Sequence, residues 1–233
     1  MQPKSKFGYT ELAPTIKPKH YTGTIFRRLS EPDISVYQTN AYSVVFRCVD
    51  IFLSLIAAVV LLLAIPFIWI ANFIFDKGPL FYNQKRVGKN GKVFTMYKFR
   101  SMVVNAEMNG ARFTSQNDDR ITKVGMFLRK SRLDELPQAL NVLKGNMSFI
   151  GPRPERPEFV EILAAKDSEY TQRLLVKPGL TGWAQVKYKY TDNIDDGLIK
   201  LRYDLYFLRN RDIKMDIEII FRTAWIVISR QGT

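Results

Sequence analysis

Asp134 and Glu135 are adjacent carboxylates in a part of the chain that is otherwise rich in cations. The neighbouring cationic residues are Arg120, Lys123, Arg129, Lys130, Arg132, Lys144 and Arg153. A cationic patch with acids at its centre suits a phosphate ester, because the cations hold the phosphates while a carboxylate acts as nucleophile, base or metal ligand. Acids are also common in the first turn of an ordinary helix, so a purely structural role for the pair stays open at this point.

The element expected to position the pair is a helix. Ser131 is a good N-cap for a helix that runs to Leu143, and Gly145 stands just past its end. Asp134 would then lie in the first turn, where the helix dipole stabilises a carboxylate as the anion. This placement predicts an Asp134 that stays charged and available as a nucleophile or ligand.

The composition of the 233-residue chain narrows the classes of function. Its formal net charge of +13 favours anionic partners such as nucleic acid, anionic lipid or a phosphorylated substrate. The single cysteine, Cys48, excludes an intrachain disulfide and a cysteine metal cluster. The single histidine, His20, argues against a histidine-rich zinc site and a serine protease triad. Any acid–base chemistry therefore falls to carboxylates, lysine, tyrosine or water.

The N-terminal third is predicted to hold a tail and a membrane helix. Residues 1–43 are interrupted by prolines and rich in lysine, so they are interpreted as a flexible basic tail. Residues 44–76 contain an uncharged apolar run, 51–75, long enough to span a bilayer. Basic residues flank the run on both sides, so the positive-inside rule favours a re-entrant helix that is broken at Pro66 and returns to the cytoplasmic face. A simple span fits the apolar run equally well, and both topologies stay open.

Residues 77–233 are predicted to form a cytoplasmic catalytic unit, so that the whole chain is of the α+β class and mostly helical. Two short aromatic and β-branched runs, 80–82 and 93–97, flank Asn90 and Gly91, a strong turn signal that predicts a small β-hairpin. Helical periodicity predicts several amphipathic helices, over 121–130, 131–143, 155–165, 194–210 and 215–229. The last is interpreted as a core or membrane-surface helix rather than a second span.

Four cations are candidate ligands for substrate phosphates, namely Lys98, Arg100, Arg120 and Arg153. Arg153 lies between Pro152 and Pro154, whose fixed backbone angles would hold its guanidinium in place for bidentate phosphate binding. A second loop, residues 177–186, carries two glycines that permit close backbone approach. No P-loop or dinucleotide fingerprint is present, so ATP or NAD binding lacks support.

Four motifs follow one another along the chain: KFRSM, LDELPQ, GNMSFIGPRP and PGLTGWAQV. In this order they resemble the bacterial sugar transferase family, the monotopic phosphoglycosyl transferases that begin glycan assembly on polyprenol phosphate. The resemblance covers about residues 47–230. Because four linked motifs occur in the family's order, the resemblance is specific.

The resemblance implies a fold, a reaction and a site. The apolar helix would be re-entrant and broken at Pro66. Asp134 would attack the β-phosphate of a UDP-sugar, release UMP and carry the phosphosugar. Polyprenol phosphate, usually undecaprenyl phosphate, would then take it in a ping-pong sequence. Asp134 and Glu135 would form the catalytic dyad and hold a required Mg²⁺, and the loop 152–154 would belong to the nucleotide-phosphate site.

The resemblance also implies partners and a location. The partners would be a UDP-sugar, polyprenol phosphate and anionic membrane lipid, without nucleic acid, at the cytoplasmic face of the bacterial inner membrane. The reaction would be the first membrane step of exopolysaccharide, capsule, O-antigen or glycoprotein glycan assembly. A homo-oligomer and contacts with downstream glycosyltransferases stay open.

The chain departs from the family pattern at three places, and the third leaves the sugar open. Ile65 precedes Pro66 where relatives often carry serine, Asn146 replaces a frequent acid, and residues 187–190 replace an Asn-Gly segment. Charge alone also fits a membrane-tethered nucleic-acid-binding protein, which would not need Asp134. A non-catalytic scaffold of a glycan assembly complex is a second alternative, and the intact carboxylate pair argues against it.

Overall fold

The computed structural model describes residues 40–108, 110, 114, 118–188 and 193–229, without the side chains of 40–42. The predicted tail therefore lies almost entirely outside the described residues, as does part of the variant segment 187–190. The helices are α1 (Asn40–Phe75), α2 (Lys123–Lys130), α3 (Ala139–Leu143), α4 (Pro157–Lys166), α5 (Trp183–Lys187), α6 (Ile194–Asn210) and α7 (Ile213–Ile228). The strands are β1 (Phe81–Val87), β2 (Val93–Phe99), β3 (Ser148–Ile150) and β4 (Gly179–Thr181). Short 3-10 helices cover Lys89–Gly91, Leu133–Gln138 and Ser168–Leu175. The predicted mostly helical fold with a small hairpin is confirmed.

Helix α1 is continuous and carries Pro66 inside it. The helical conformation is not interrupted at Pro66, and the predicted bend of the helix at this residue stays a prediction. A proline within a helix removes one backbone hydrogen bond, and the bonds of the turns on either side can keep the helical conformation. The stretch Ser43–Phe75 is long and apolar enough to cross a membrane by length and composition, and 18 consecutive residues within it have a mean hydropathy of 3.0. Re-entry concerns the path through the bilayer and stays a prediction.

Both ends of α1 are bonded to the catalytic unit. Near the start, Arg47 donates to carbonyl oxygens of the last turn of α3 at 2.7 and 2.8 Å. One turn later, Asp50 accepts from the Phe149 backbone N–H at 2.8 Å. Near the end, Asn72 Oδ1 accepts from Arg100 at 2.5 Å. The helix is thus held at residues about 38 Å apart along its axis, at 1.5 Å per residue.

Two helices present apolar faces that the rest of the described chain leaves uncovered. The large exposed side chains of α1 include Phe52, Leu55, Leu62, Leu63, Phe67, Trp69 and Phe73. Those of α7 include Ile213, Ile217, Ile220, Phe221, Trp225 and Ile228. Met215 and Ile219 of α7 are instead buried in the core. Each large apolar side chain left in water forgoes about 1.5–3 kcal/mol, so both faces are suited to an apolar environment.

The hairpin forms as predicted. Strands β1 and β2 pair antiparallel with Val87 opposite Val93 and Phe81 opposite Phe99. The turn contains Asn90 at φ 56°, a left-handed conformation that asparagine tolerates better than most residues. Because side chains alternate across a strand, every second residue of β1 lies on the same face of the hairpin.

The predicted helix over 131–143 is wrong in its first half. Ser131 ends α2, and its Oγ donates to the Phe127 carbonyl at 2.8 Å. Arg132 then adopts a left-handed conformation with φ 58°, after which a 3-10 helix covers Leu133–Gln138. Pro137 inside this segment has no N–H to donate to a regular α-helix, which favours the break. The end was predicted correctly, since α3 stops at Leu143 and Gly145 follows with φ +80°.

A parallel strand pair joins the two loops that sequence patterns left irregular. Ser148 pairs with Gly179, and Ile150 pairs with Thr181. The predicted close backbone approach is confirmed, because a Cβ added at Gly179 would stand 2.1 Å from the Gly151 nitrogen. The pair brings the proline-rich loop after β3 into register with the loop before β4.

The remaining helices enclose one hydrophobic core. Helix α6 has the predicted bounds, whereas α4 and α7 begin within two residues of their predicted starts. Side chains from α4, α6, α7 and the 3-10 helix Ser168–Leu175 meet in this core, among them Phe159, Leu163, Tyr170, Leu201, Leu205 and Ile219. Ile150, which ends β3 just before the proline-rich loop, is also part of this core.

Candidate active site

Asp134 lies on the 3-10 helix Leu133–Gln138 with only 6% of its surface exposed. Its Oδ1 atom is buried and has no hydrogen-bond partner among the described residues. Arg132, two residues before Asp134, has a left-handed backbone, and such sparsely populated conformations cluster at functional sites. A buried carboxylate oxygen without a partner is costly unless a ligand or metal uses it.

Burial and the charge of Glu135 raise the pKa of Asp134, while Lys98 and Arg129 act in the opposite direction. The prediction that a helix dipole holds Asp134 as the anion is therefore wrong. The 3-10 helix is short, and the surroundings of the carboxyl group determine its charge instead. The two nearby cations are what favour the anion that a nucleophile requires.

Glu135 has the opposite environment. Lys98 Nζ lies 3.4 Å from its Oε1 atom. Arg153 Nη1 donates to Oε2 at 3.3 Å, and Arg153 Nη2 forms a shorter bond with Oε1. Burial opposes ionisation, yet Arg153 and Lys98 together bring the pKa of Glu135 well below its usual range. The pKa of Asp134 is thus raised and that of Glu135 is lowered. Opposite shifts in neighbouring carboxyl groups are typical of groups that have different roles in catalysis.

Asp134 opens into a cavity of about 550 Å³. This volume is within the range of sites for small molecules and cofactors, about 300–1,000 Å³. The polar and charged side chains along its wall include Tyr82, Gln84, Arg86, Lys98, Arg129, Glu107, Glu155 and Arg156. Apolar side chains at Phe81, Val103, Val104 and Met108 line another part and are exposed. The cavity therefore has a cationic surface and an apolar surface, and either one ligand or two separate ligands could contact them.

Lys98 connects the cavity with the dyad. It lines the cavity and contacts Glu135 with its ammonium group. Burial lowers its pKa to about 8, and the carboxylates of Glu135 and Asp134 limit that decrease. Lys98 therefore carries its charge at neutral pH and loses it in mildly alkaline solution.

The structure brings Lys98 and Arg153 to the dyad, but it gives the other two predicted phosphate ligands different partners. Arg100 lines the cavity, yet its Nε donates to the Pro79 carbonyl at 2.7 Å and its Nη atoms bond to Met102 O, Asn72 Oδ1 and Asp76 O. Arg120 Nε donates to Asp118 at 2.8 Å and Nη1 to Ala106 O at 3.3 Å. These bonds fix α1 and the loop after β2, so phosphate binding by Arg100 or Arg120 would need them to be exchanged.

Pro152 and Pro154 act through their carbonyl groups. Pro152 O accepts from the Gly179 N–H at 2.9 Å, which extends the β3–β4 pairing. Pro154 O accepts from Arg86 Nη1 at 3.0 Å. The two bonds hold the backbone on either side of Arg153. The predicted fixing of Arg153 is thus supported by tertiary contacts in addition to the proline rings.

Sequence patterns did not single out Tyr82, Gln84, Arg86 or Arg156 as site residues, and they grouped Arg129 only with the cations around the dyad. Tyr82, Gln84 and Arg86 alternate along β1 and share one face of the hairpin, so strand periodicity could have grouped them. Arg129 Nε donates to Ser101 Oγ at 2.9 Å and lines the cavity near Asp134. Its place in the basic stretch before the dyad indicated proximity to the carboxylates but not a position at the cavity wall.

The donor set for a metal is small. Among the described residues, no three histidine, cysteine or acidic side chains are grouped as metal ligands. Asp134 Oδ1 is buried and lacks a partner, whereas both Glu135 oxygens are bonded to cations. Mg²⁺ is commonly held by one or two carboxylates together with substrate phosphates and water. Asp134 fits that requirement, and Glu135 fits it only if its ion pairs are exchanged.

A buried carboxylate beside arginines and a lysine, at the wall of a cavity, has the chemistry that suits an anionic ligand. Residues 41–230 match the family model described as bacterial sugar transferase. The chain belongs to the bacterial sugar transferase family.

Characterised relatives differ in the sugar that their names state. The chain is 45% identical over 155 residues to the UDP-N-acetylgalactosamine-undecaprenyl-phosphate N-acetylgalactosaminephosphotransferase of Aeromonas hydrophila, covering 66% of this chain and 37% of that one. It is 38% identical over 202 residues to the UDP-glucose:undecaprenyl-phosphate glucose-1-phosphate transferase of Escherichia coli, covering 83% and 43%. It is 42% identical over 172 residues to the undecaprenyl-phosphate galactose phosphotransferase of Salmonella typhimurium, covering 67% and 35%. The chain thus spans less than half the length of these relatives.

Proposed function

We propose that this protein is a phosphoglycosyl transferase that moves a phosphosugar from a UDP-sugar to undecaprenyl phosphate and releases UMP. The observation that carries the proposal is the buried, unpartnered Asp134 oxygen at the wall of a cationic cavity. The names of the family relatives support the reaction class. A non-catalytic scaffold would gain nothing from a buried carboxylate oxygen without a hydrogen-bond partner, because such an oxygen lowers the stability of the fold.

In the proposed first step, an Asp134 carboxylate oxygen attacks the β-phosphorus of the UDP-sugar. The bond from that phosphorus to the bridging oxygen breaks, and UMP leaves with the bonding electron pair. The product is a phosphosugar joined to Asp134 as an acyl phosphate. Lys98 and Arg129 favour the anionic form of Asp134 before attack, which offsets the effect of burial.

In the second step, a phosphate oxygen of undecaprenyl phosphate attacks the same phosphorus. The acyl phosphate bond breaks, Asp134 recovers its carboxylate, and the sugar becomes linked to the lipid by a diphosphate. Phosphoryl transfer depends mainly on positioning and on neutralising phosphate charge. Arg86, Arg129 and Arg156 supply cationic groups at the cavity wall for that purpose.

Mg²⁺ is the cofactor that this chemistry favours. When bound, the ion would neutralise charge on the diphosphate. Asp134 would hold it through its unpartnered oxygen, with substrate phosphates as further ligands. Glu135 would contribute mainly by fixing Arg153 and Lys98 beside the reacting group.

The direct test is UMP release by purified protein supplied with undecaprenyl phosphate, Mg²⁺ and a panel of UDP-sugars. We expect UMP release that depends on the lipid for multiple turnover and is restricted to one or a few sugars. The absence of release with every UDP-sugar, together with nucleic-acid binding that weakens steeply with salt, would contradict the proposal.

The pH dependence of the first step should follow Lys98. Its pKa lies at about 8, so the ammonium group is present below that pH and is lost as the pH rises through it. We expect the rate of UMP release to fall above about pH 8, and the Lys98→Arg variant to keep its rate to at least one pH unit higher. The measurement is the pH profile of the single-turnover rate between pH 6.5 and 9.5. An unchanged alkaline limb in Lys98→Arg would exclude Lys98 as its source.

We further propose that α1 enters and leaves the membrane on the cytoplasmic face. The support is that Arg47, near its start, and Asn72, near its end, both bond to the catalytic unit. A straight perpendicular span of this length would place those ends on opposite sides of a hydrocarbon layer about 30 Å thick. The exposed apolar faces of α1 and α7 would contact lipid.

Thiol labelling tests this topology. Cys48 is exposed, so the background should be Cys48→Ser. We expect Ser5→Cys and Ser168→Cys, which is in the catalytic unit, both to resist a membrane-impermeant reagent in spheroplasts and to react after lysis. Labelling of Ser5→Cys alone from outside would show a full span. Adding Pro66→Leu should favour that span, because leucine restores the backbone N–H that proline lacks and with it one helical hydrogen bond.

A further inference from the structure

Arg173 is a buried arginine that takes no part in the proposed chemistry, yet it holds the backbone of Arg153. Its Nη2 atom donates to the Arg153 carbonyl at 2.7 Å. Its Nε donates to Asp204 Oδ2 at 2.9 Å, and its Nη1 donates to Tyr170 Oη at 2.7 Å. Arg173, Asp204 and Tyr170 are 6%, 2% and 1% exposed. The three residues are called the Arg173 network below.

The contact falls on the centre of a loop that is held at three consecutive carbonyls. Pro152 O accepts from the Gly179 N–H, and Pro154 O accepts from Arg86. Arg173 holds the carbonyl between them with a charge-assisted bond, the stronger kind of hydrogen bond. The void behind the loop has a volume of only about 20 Å³, enough for one water molecule. The backbone at Arg153 therefore has little room to move.

The side chain of Arg153 points from this fixed backbone to Glu135. A continuous set of contacts thus runs from α6, through Asp204 and Arg173, to Arg153 and the dyad. A buried ion pair adds little stability compared with apolar side chains of the same volume. The guanidinium of Arg173 instead fixes the position of the Arg153 backbone, because its planar group bonds to three partners in fixed directions.

We propose that Arg173, Tyr170 and Asp204 are positioning residues for the reaction, which set the place of Arg153 and through it the counterion of Glu135. The kinetic part of this inference rests on the proposed phosphoglycosyl transfer. Its structural part does not, since it concerns only the order of the loop at Arg153.

Amide hydrogen exchange of the full-length protein in detergent tests the structural part. Asp204→Asn removes the counterion of Arg173, and Asp216→Asn is the matched control. Asp216 is likewise 2% exposed and accepts from Arg211 at 2.9 Å. We expect the amides of Gly179 and Val87, which donate to the loop carbonyls of Pro152 and Glu155, to exchange about 10-fold faster in Asp204→Asn than in Asp216→Asn. Equal exchange in the two variants would overturn the inference, whether or not the enzyme turns over.

UMP release tests the kinetic part. We expect kcat/KM to fall about 30-fold in Asp204→Asn and to stay within about 3-fold of the parent in Asp216→Asn. In an Arg153→Lys background, which lacks the planar fork, the effect of Asp204→Asn should shrink to below about 3-fold. A purely structural role would leave the two effects additive, and that result would overturn the inference.

Tyr170→Phe is a second, milder variant for both measurements if Asp204→Asn folds poorly. It removes one of the three bonds from Arg173 and leaves the ion pair with Asp204 in place. We expect the same pattern at smaller size, with exchange at Gly179 raised about 3-fold and kcat/KM lowered about 3-fold. Unchanged exchange in Tyr170→Phe would contradict the proposed network. A parent protein that releases no UMP would defeat the proposed function, while the exchange data would still decide the inference.

Discussion

The Asp134→Asn variant is expected to lose UMP release by about 10⁴-fold or more while remaining fully folded. Asparagine has nearly the same shape as aspartate but cannot attack phosphorus to form an acyl phosphate. Burial raises the pKa of Asp134, so ionisation of this group at neutral pH costs folding free energy. The neutral amide removes that cost, and the melting temperature should stay equal or rise. Turnover assays and thermal melts of the same preparation check both parts.

Asp216→Asn gives the opposite pattern and serves as the control. It breaks a buried ion pair with Arg211 far from the dyad in sequence, so its melting temperature should fall while turnover is largely kept. A stable Asp134→Asn protein with near wild-type UMP release would show that Asp134 is not the nucleophile. A destabilised Asp134→Asn protein would show that the Asp134 carboxylate makes stabilising contacts other than those described here.

The Glu135→Gln variant is expected to lose both activity and stability. The neutral amide leaves Lys98 and Arg153 without their counterion in a mostly buried place. Breaking such an ion pair costs about 3 kcal/mol of unfolding free energy. With the cations released, UMP release should fall by about 10²–10⁴-fold. Denaturant titration and turnover assays measure the two effects separately.

The contrast between the two variants follows from their surroundings. Asp134 has an oxygen without a partner, whereas Glu135 is bonded to two cations. Equal loss of stability in both variants, or Glu135→Gln with wild-type stability, would contradict this division of roles. Glu135→Asp, which keeps the charge but shortens the side chain, should recover part of the stability and little of the activity.

Local sequence patterns were sufficient for elements whose signals are local. The Asn90-Gly91 turn located the hairpin, and helical periodicity located α6 with the observed bounds. Gly145 marked the end of α3 correctly. The adjacency of Asp134 and Glu135 in a basic stretch was enough to place both in one site.

Features that depend on distant residues were not predicted. The pairing of β3 with β4 joins Ser148 to Gly179, and neither short strand has a periodic pattern of its own. The left-handed backbone at Arg132 reflects its tertiary setting, because an arginine carries no turn signal. Arg100 looked like a free cation, but its partners come from α1 and from the chain just before the hairpin. Opposite pKa shifts within the dyad likewise arise from burial and from Arg153, which a linear pattern cannot show.

The central claim is that Asp134 becomes covalently phosphorylated, and the most direct measurement is UMP release from UDP-sugar in the absence of lipid. The account predicts release of up to a single UMP per enzyme, with an acyl phosphate that hydroxylamine cleaves and that maps to the peptide holding Asp134. Steady-state rates against the two substrates should follow a ping-pong pattern. If the lipid phosphate attacks directly, UMP will appear only when lipid is present and no labelled peptide will form. That result would contradict the covalent role of Asp134.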